Sequence, residues 1–401
     1  MPRRRRNAGF LLTTRPLIYG GNRLKLLKNG DQFFPLLLAA INSAARSIHI
    51  ETYIFEDDSI GQRVVDALAI AADRGVAVHL LLDGFGSQAT APGLIERLQP
   101  LGVQVQVFNP VRRQLQRRLL RRLHRKIVLI DDDLAFVGGI NIIDDYHHPD
   151  PEPGRLGPRF DFAVMCQGPI VGPIAYAVKR LWRAVVRLRQ LRRAATTLEI
   201  VQPAPLRDDM RAVLLLRDNV RDRRTIERAY LEAFASARQD VVIANAYFLP
   251  GRRFREALRA LAQRGVRVRL LLQGRVEYRL QHYAQQALYG QLLDAGVQIH
   301  EYVPSYLHAK VAVVDRHWAT VGSSNIDPFS LLLAREANVA VYDPDFVDQL
   351  RSELERAIAA DSVAIDAATF ALRGWLRRGL NWIAYGIVRL MTAVATRRAE
   401  A

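Results

Sequence analysis

Two short elements of the 401-residue chain share one spacing, His-x-Lys-x4-Asp. The first is His124, Lys126 and Asp131; the second is His308, Lys310 and Asp315. A glycine-led run ending in asparagine follows each: Gly138-Gly139-Ile140-Asn141 in one case, Gly322-Ser323-Ser324-Asn325 in the other. Side chains alternate along a strand, so a His and a Lys two positions apart point to the same face. Imidazole and ammonium then reach one anion together. Glycine lets the backbone come close, and an Asn amide can donate to phosphate oxygens. Two imidazoles, two ammonium groups and two amides, if they converge, make a cage for a trigonal-bipyramidal phosphorus. One His can attack phosphorus while the other protonates the leaving oxygen. The lysines offset charge that develops on the non-bridging oxygens. One copy would weigh little, because a lone His near a strand start is more often a surface or core residue. Two copies at matching places are specific. His49, His79, His147, His148, His282, His300 and His317 show no such repetition and read as ordinary residues. Asp131 and Asp315 complete the elements and are site candidates; each also sits where a strand could end in a turn, as at Asp131-Asp132-Asp133.

The elements that must carry these residues occur twice. Arg74-Gly75-Val76-Ala77-Val78-His79-Leu80-Leu81-Leu82-Asp83-Gly84 returns as Arg264-Gly265-Val266-Arg267-Val268-Arg269-Leu270-Leu271-Leu272-Gln273-Gly274, and Gly102-Val103-Gln104-Val105 returns as Gly296-Val297-Gln298-Ile299. In the first half, Ser47 to Phe55 has the β-branched and aromatic content of a strand, Ile60 to Arg74 has helical spacing, and Val76 to Asp83 is an apolar strand. A helix is expected near Pro92 to Leu101, a strand over Val103 to Phe108, and a hairpin-like pair over Lys126 to Ile130 and Ala135 to Gly138. The second half repeats this order from Val241. Such alternation predicts an α/β fold of two similar lobes with mostly parallel sheets flanked by helices, and one active site at their pseudo-twofold joint. The expected organisation is a basic segment over 1–30, a first lobe over 31–200, a second over 201–360 and an amphipathic tail over 361–401. The proline-bearing stretch Val201 to Leu206 joins the lobes.

The formal charge of +17 calls for an anionic partner, either nucleic acid or an anionic membrane surface, although Arg-rich usage explains part of it. The first half carries an insertion before its motif: 15 residues separate Phe108 from His124, whereas five separate Tyr302 from His308. Within 111–123, Val111, Leu115, Leu119 and Leu123 recur every fourth residue, and six arginines fill the other faces. This is the pattern of a helix lying in a membrane interface. Lys179 to Arg193, with Trp182, is a second basic stretch. The tail from Trp375 to Val394 is apolar but broken by Arg377, Arg378 and Arg389. For each of these the plainer alternative is a helix with a solvated face. No aromatics interleave with the arginines, so nucleic acid is the less expected partner. No apolar run reaches 18 residues, so no spanning helix is expected, and Met1 to Thr14 is too short in apolar residues for a signal peptide. Cys166 is the single cysteine, which excludes an intrachain disulfide. No ligand spacing for zinc or magnesium appears, so neither metal nor cofactor is expected.

At the duplicated motif the chain resembles the phospholipase D superfamily, whose signature it is. Leu307 to Asp315 and His317 to Pro328, with Ser330, Glu336, Ala337 and Asn338, are similar to bacterial cardiolipin synthases within it. So are Glu51-Thr52-Tyr53-Ile54-Phe55 and Ala244-Asn245-Ala246-Tyr247-Phe248. The resemblance covers roughly residues 20 to 365 and is nearest to the B type, which lacks amino-terminal membrane spans. It implies that His124 is the nucleophile and His308 the acid and base. It implies further that an acidic residue of the opposite half orients each imidazole: Glu336 for His124, and Asp161 of Arg159-Phe160-Asp161-Phe162 for His308. Asn141, Asn325 and Ser323 would support the phosphate. Gly139 departs from the pattern, since many members carry Ser there. The motif aspartates are usually structural in this family.

The implied reaction moves a phosphatidyl group from one phospholipid to His124 and then to a hydroxyl of phosphatidylglycerol, with phosphatidylglycerol or phosphatidylethanolamine as donor. The expected place is peripheral, on the cytoplasmic face of the bacterial membrane, and no protein partner is implied. One alternative is a hydrolase or nuclease of the same superfamily. Another is a non-catalytic scaffold that binds membrane or nucleic acid. The run Ser323 to Pro328 with Glu336 and Asn338 favours the synthase, and two complete motifs argue against a scaffold.

Overall fold

The structure is a computed structural model that describes residues 16–110, 121–148, 156–190, 202–218, 222–327, 334–372 and 374–400. Its strands are β1 (Tyr19–Lys28), β2 (Ser47–Thr52), β3 (Ala77–Asp83), β4 (Gln104–Phe108), β5 (Arg122–Leu123), β6 (Lys126–Ile130), β7 (Leu134–Gly138) and β8 (Phe162–Gln167) in the first lobe. The second lobe has β9 (Met210–Arg217), β10 (Asp240–Asn245), β11 (Arg267–Gln273), β12 (Gln298–Tyr302), β13 (Lys310–Val314), β14 (Trp318–Gly322), β15 (Ala334–Val341) and β16 (Ser362–Ala364). Around them lie α1 (Asn29–Ser43), α2 (Ser59–Asp73), α3 (Ala91–Leu98), α4 (Val171–Gln190), α5 (Thr225–Ser236), α6 (Arg252–Gln263), α7 (Arg279–Gln286), α8 (Tyr289–Leu293), α9 (Pro344–Ala360), α10 (Ala367–Ala371) and α11 (Trp375–Glu400).

The repeated Arg-Gly-Val has a local cause. Gly75 and Gly265 both adopt a φ of 83°, in the left-handed region that glycine enters without a Cβ clash. At each, two backbone bonds close the preceding helix: Gly75 N–H to Ala72 and Val76 N–H to Ala71, and likewise Gly265 to Ala262 and Val266 to Leu261. Arg74 reaches back to the carbonyls of Ile41 and Ala44 at the end of α1, and Arg264 does the same at Phe234 and Ala237 after α5. One three-residue signal thus ends a helix, ties down its neighbour and launches β3 or β11 into the core. Those two strands are buried along most of their length, as near-continuous Val and Leu runs require.

The sixteen described strands form one sheet, and the path runs β16-β12-β11-β10-β13-β14-β15-β9-β1-β8-β7-β6-β2-β3-β4 with β5 on β15. Apart from the edge strand β16, the order is symmetric about the antiparallel β1–β9 pair at its centre. A cluster of buried Leu, Val and Ala side chains from both lobes fills that joint, and a second and third cluster fill each lobe's outer half.

The sheet differs from expectation in being mostly antiparallel. Among the described strands, parallel pairing is confined to β2–β3–β4, β10–β11–β12 and the short β5–β15 contact. A parallel neighbour needs a crossover of a dozen residues or more. Only three residues separate β6 from β7 and β13 from β14, so both motif strands return as hairpins. Two basic stretches also differ. Trp182 of α4 packs inward with Leu81, Phe108, Leu123 and Val185, so α4 is a core helix with a solvated basic face. Leu123 is fully buried in that same cluster on strand β5, so it does not extend an interfacial helix; positions 111–120 of the insertion, and Ser330, lie outside the described residues.

Candidate active site

His124 and Lys126 stand at the start of β6, and His308 and Lys310 at the start of β13. A ladder between the lobes sets the histidines. The His124 N–H donates to the Arg335 carbonyl at 3.0 Å, beside the β5–β15 pairing. The His308 N–H donates to the Phe160 carbonyl at 2.9 Å, where Phe160 pairs with Leu307. Each of these carbonyls belongs to the residue preceding an acid of the opposite lobe. Glu336 Oε2 therefore lies 3.0 Å from His124 Nδ1, and Asp161 Oδ2 lies 2.6 Å from His308 Nδ1. Asp161 and Glu336 occupy equivalent positions, since Gly138 pairs with Ala163 and Gly322 with Asn338. Each lobe thus lends its carboxylate to the other's imidazole.

The lysines are buried and fold back on their own motif: Lys126 Nζ donates to the His124 carbonyl at 2.7 Å, and Lys310 Nζ donates to the His308 carbonyl. Lys310 Nζ also lies 3.9 Å from Asp161 Oδ2. Tyr53 meets His124 edge to face, 4.8 Å between ring centroids, and Lys126 Nζ sits 5.2 Å from the same ring. Burial lowers Lys126 to about 7 and Lys310 to about 8. Burial also lowers His124, against the pull of Glu336, so its imidazole is neutral near pH 7. Glu336 is held below the usual carboxylate value because His124, Lys126 and Ser323 outweigh its burial. An ionised Glu336 takes the His124 Nδ1–H and leaves Nε2 with a free lone pair. Burial, then Lys310, Lys126 and Arg159, push His308 well below the imidazole value, and burial raises Asp161 to about 6. An anion entering between the lysines would offset those cations and make His308 easier to protonate.

The two halves differ at one pair of positions. Ser323 Oγ donates to Glu336 Oε2 at 2.6 Å. Gly139 holds the equivalent place, and a Cβ there would stand only 2.3 Å from Asp161 Oδ1. The departure from Ser thus has a steric reason, because the shorter Asp brings its carboxylate against the backbone. Asn141 accepts from the Ile54 N–H at 3.1 Å through Oδ1, which leaves Nδ2 as its donor. Asn325 is buried and its Oδ1 has no hydrogen-bond partner among the described residues.

Asp131 and Asp315 do not join this cluster, which corrects their place among the catalytic candidates. Each follows the far end of its strand, about 16 Å from the Lys at a rise of roughly 3.3 Å per residue. Asp131 accepts the N–H groups of Ala45, Arg46 and Ser47 at 2.7–2.8 Å, and Asp315 those of Arg238, Gln239 and Asp240 at 2.8–2.9 Å. Both have positive φ, 53° and 43°, the turn conformation that Asp tolerates. Sequence reasoning missed Tyr53, Arg159 and the inter-lobe ladder. Among the described residues, no group of three or more His, Cys, Asp or Glu is arranged to hold a metal ion.

A two-lobed sheet with a duplicated His-Lys pair at the joint is the architecture of phospholipase D-like proteins. The profile described as "Cardiolipin synthase, PLD-like domain" matches residues 37–152 and 230–358. Cardiolipin synthase B of Escherichia coli K12 is 39% identical over 379 residues, covering 93% of this chain and 89% of its own. Cardiolipin synthase B of Salmonella typhimurium is also 39% identical, with the same coverage. Phosphatidylserine synthase of Haemophilus influenzae shares the fold, with a TM-score of 0.69 at 14% identity over 96% of this chain and 97% of its own. The chain belongs to the cardiolipin synthase family of phospholipase D-like proteins.

Proposed function

We propose that the protein is a cardiolipin synthase that moves a phosphatidyl group between two phospholipids through a phosphohistidine. The observation that carries the reading is the crossed pairing of His124 with Glu336 and His308 with Asp161, inside a chain whose relatives of 39% identity are cardiolipin synthases. His124 Nε2 attacks the phosphorus of a phospholipid while Lys126 and Lys310 offset charge on the non-bridging oxygens. The bond from phosphorus to the headgroup oxygen breaks, and His308 gives that oxygen a proton. Glycerol leaves if the donor is phosphatidylglycerol, ethanolamine if it is phosphatidylethanolamine. A glycerol hydroxyl of phosphatidylglycerol then loses its proton to His308 and attacks the phosphohistidine, which releases His124 and closes the cycle. Asn141, Asn325 and Ser323 support the phosphate and its frame. One phosphodiester is exchanged for another, so no nucleotide is consumed. The lobes over 31–200 and 201–360 contribute one motif each, and the protein works peripherally at the cytoplasmic face of the membrane.

The test is product analysis. Purified protein given phosphatidylglycerol in mixed micelles should yield cardiolipin and free glycerol in equal amounts. Phosphatidic acid as the main product at every lipid density would make it a hydrolase, and loss of DNA in the same preparation would make it a nuclease.

A further inference from the structure

Helix α11 is partnered on one side only. Asn381, Ala384, Val388 and Thr392 are buried, and Ala384 and Val388 pack with Leu249, Ala284 and Leu288 on and around α7. A neighbouring face is apolar and bare: Leu376 is 64% exposed, Leu380 62%, Ile383 61% and Leu390 66%, with Ile387, Met391 and Val394 also exposed. These positions recur at helical spacing and form one stripe along the helix. Leu372 and Trp375, at and just before its amino-terminal end, are also exposed. A stripe of this length is far more apolar surface than solvent-facing helices carry.

Charge says what covers it. Between Asp366 and Glu400 there is no acidic residue, while Arg377, Arg378 and Arg389 are exposed on the other faces of the helix. Trp375 and Trp382, both exposed, add the amphipathic rings favoured at headgroup depth. Among the described residues no helix is long and apolar enough to cross a membrane, so α11 suits lying in the interface. Its partner α7 is tied to the active site: the loop entering α7 carries Glu277, whose carboxylate accepts from the Tyr247 hydroxyl at 2.5 Å and contributes to the field at Lys310. Exposed Val276 and Tyr278 flank Glu277.

We infer that α11 is an interfacial helix that docks the enzyme on an anionic lipid bilayer, its Leu–Ile stripe in the acyl boundary and its arginines on the headgroup phosphates. The choice of a lipid surface as occupant rests on the transferase reading above. The chain carries four tryptophans, and Trp182 and Trp318 are buried, so quenching by lipid reports Trp375 and Trp382. Wild-type full-length protein mixed with vesicles of equimolar phosphatidylglycerol and phosphatidylcholine bearing brominated acyl chains should lose tryptophan fluorescence. Vesicles of phosphatidylcholine alone should quench far less. The variant Leu376→Ser/Leu380→Ser/Ile383→Ser/Ile387→Ser, which removes only exposed side chains, should keep its thermal midpoint yet bind the mixed vesicles at least about 100-fold more weakly. Its turnover of short-chain phosphatidylglycerol, dispersed as monomers, should match wild type.

Unchanged vesicle binding by this variant, or no quenching of the wild type while it binds, overturns the inference. So does a wild-type dimer that the same substitutions dissociate, which would make the stripe a contact between copies. Quenching and weakened binding by the variant, with no cardiolipin formed by either protein, would support the docking helix while sinking the transferase reading.

Discussion

Gly139→Ala tests the site at its tightest point. A Cβ added at this position would stand 2.3 Å from Asp161 Oδ1, 2.6 Å from Oδ2 and 2.7 Å from Cγ. Non-bonded contacts of this kind need at least about 3.0 Å, so the carboxylate must retreat by roughly 0.7 Å or more. It has little room to do so. Asp161 Oδ1 accepts from the Phe162 N–H at 2.8 Å, Oδ2 meets His308 Nδ1 at 2.6 Å, and the Gly139 N–H is itself bonded to the Phe162 carbonyl at 2.9 Å. Movement of the carboxylate frees the His308 ring to turn. A misplacement near 1 Å in a catalytic constellation costs about 100-fold in rate, and full loss of acid–base help costs about 10²–10⁴-fold. The expected outcome is a kcat about 100-fold lower with KM little changed, measured as cardiolipin formed from phosphatidylglycerol in mixed micelles. The second lobe supplies the control. There Ser323 coexists with Glu336 and donates to it at 2.6 Å, because glutamate is longer by one methylene. The double variant Gly139→Ser/Asp161→Glu copies that pair, so it should recover activity that Gly139→Ser alone loses. Near-normal turnover by Gly139→Ala, or no gain from the added glutamate, would refute the reasoning that Asp161 acts by holding His308.

His124→Ala should abolish turnover, and His308→Ala should lower it by at least about 10²-fold while still labelling His124 with a substrate whose leaving group needs no acid; label retained on the His124→Ala protein would reverse the assignment. The pH profile of kcat/KM should fall on the alkaline side near pH 7–8, because Lys126 and Lys310, lowered to about 7 and 8, lose their protons there, and should fall again on the acid side, below the usual imidazole range, as His124 takes one up. An activity still rising at pH 9 would show that neutral lysines suffice. Asp131→Ala should leave kcat unchanged but cost about 1–3 kcal/mol of stability, read by denaturant melts, since three backbone N–H groups lose their acceptor. The Asp131 carboxyl is held low because those N–H bonds outweigh its burial, so its contribution is present above about pH 4 and disappears as pH falls through the folded value. Exhaustive chelation should leave turnover intact, as Lys126 and Lys310 meet the phosphate charge; a rate restored only by added divalent ion would count against the charge assignment.

Much of the site could be read from parity and repetition. His124 and Lys126 share a face because they are two apart, and the same rule applied once more speaks against Asp131. It lies five residues beyond Lys126, an odd number, so on a strand its carboxylate points to the other side. The repeated Arg-Gly-Val was legible as a repeat, and its cause is a local helix end. Sheet direction was legible only in part. The hairpin of the first motif strand was expected and is found, but alternating helix and strand suggests crossovers elsewhere, and nothing local shows that the central strands β1, β8, β9 and β15 pair antiparallel within and across the lobes. The basic stretch with Trp182 was open to two readings because a helix with one buried apolar face and one solvated Arg face has the same periodicity as an interfacial helix. Only the position of α4 over β4, β6 and β7 separates the two. The ladder that brings Arg335 to His124 and Phe160 to His308 joins residues 211 and 148 positions apart, and nothing local in the sequence encodes it.

The near-symmetry of the cage suits a reaction whose two halves are nearly the same. On the proposed assignment His308 gives a proton to a leaving hydroxyl in the first half and removes one from an attacking hydroxyl in the second, so one geometry serves both by microscopic reversibility. When the donor is phosphatidylglycerol, the departing and arriving groups are both glycerol hydroxyls, and a twofold arrangement of lysines and amides can hold either. The nucleophile and the acid must nevertheless differ. The chain creates that difference with one atom pair: a serine hydroxyl added to Glu336 and a glycine gap opened for Asp161. The hydroxyl helps keep Glu336 ionised, which fixes the His124 proton on Nδ1 and leaves Nε2 free to attack. Asp161, without that donor and raised by burial to about 6, holds its charge less firmly, and burial together with Lys310, Lys126 and Arg159 keeps the His308 imidazole unprotonated in the empty site. Protonation of the acid is thereby coupled to substrate entry. An empty site holds neither a charged nucleophile nor a charged acid, so the anion that completes the charge balance is also the one that arms the chemistry.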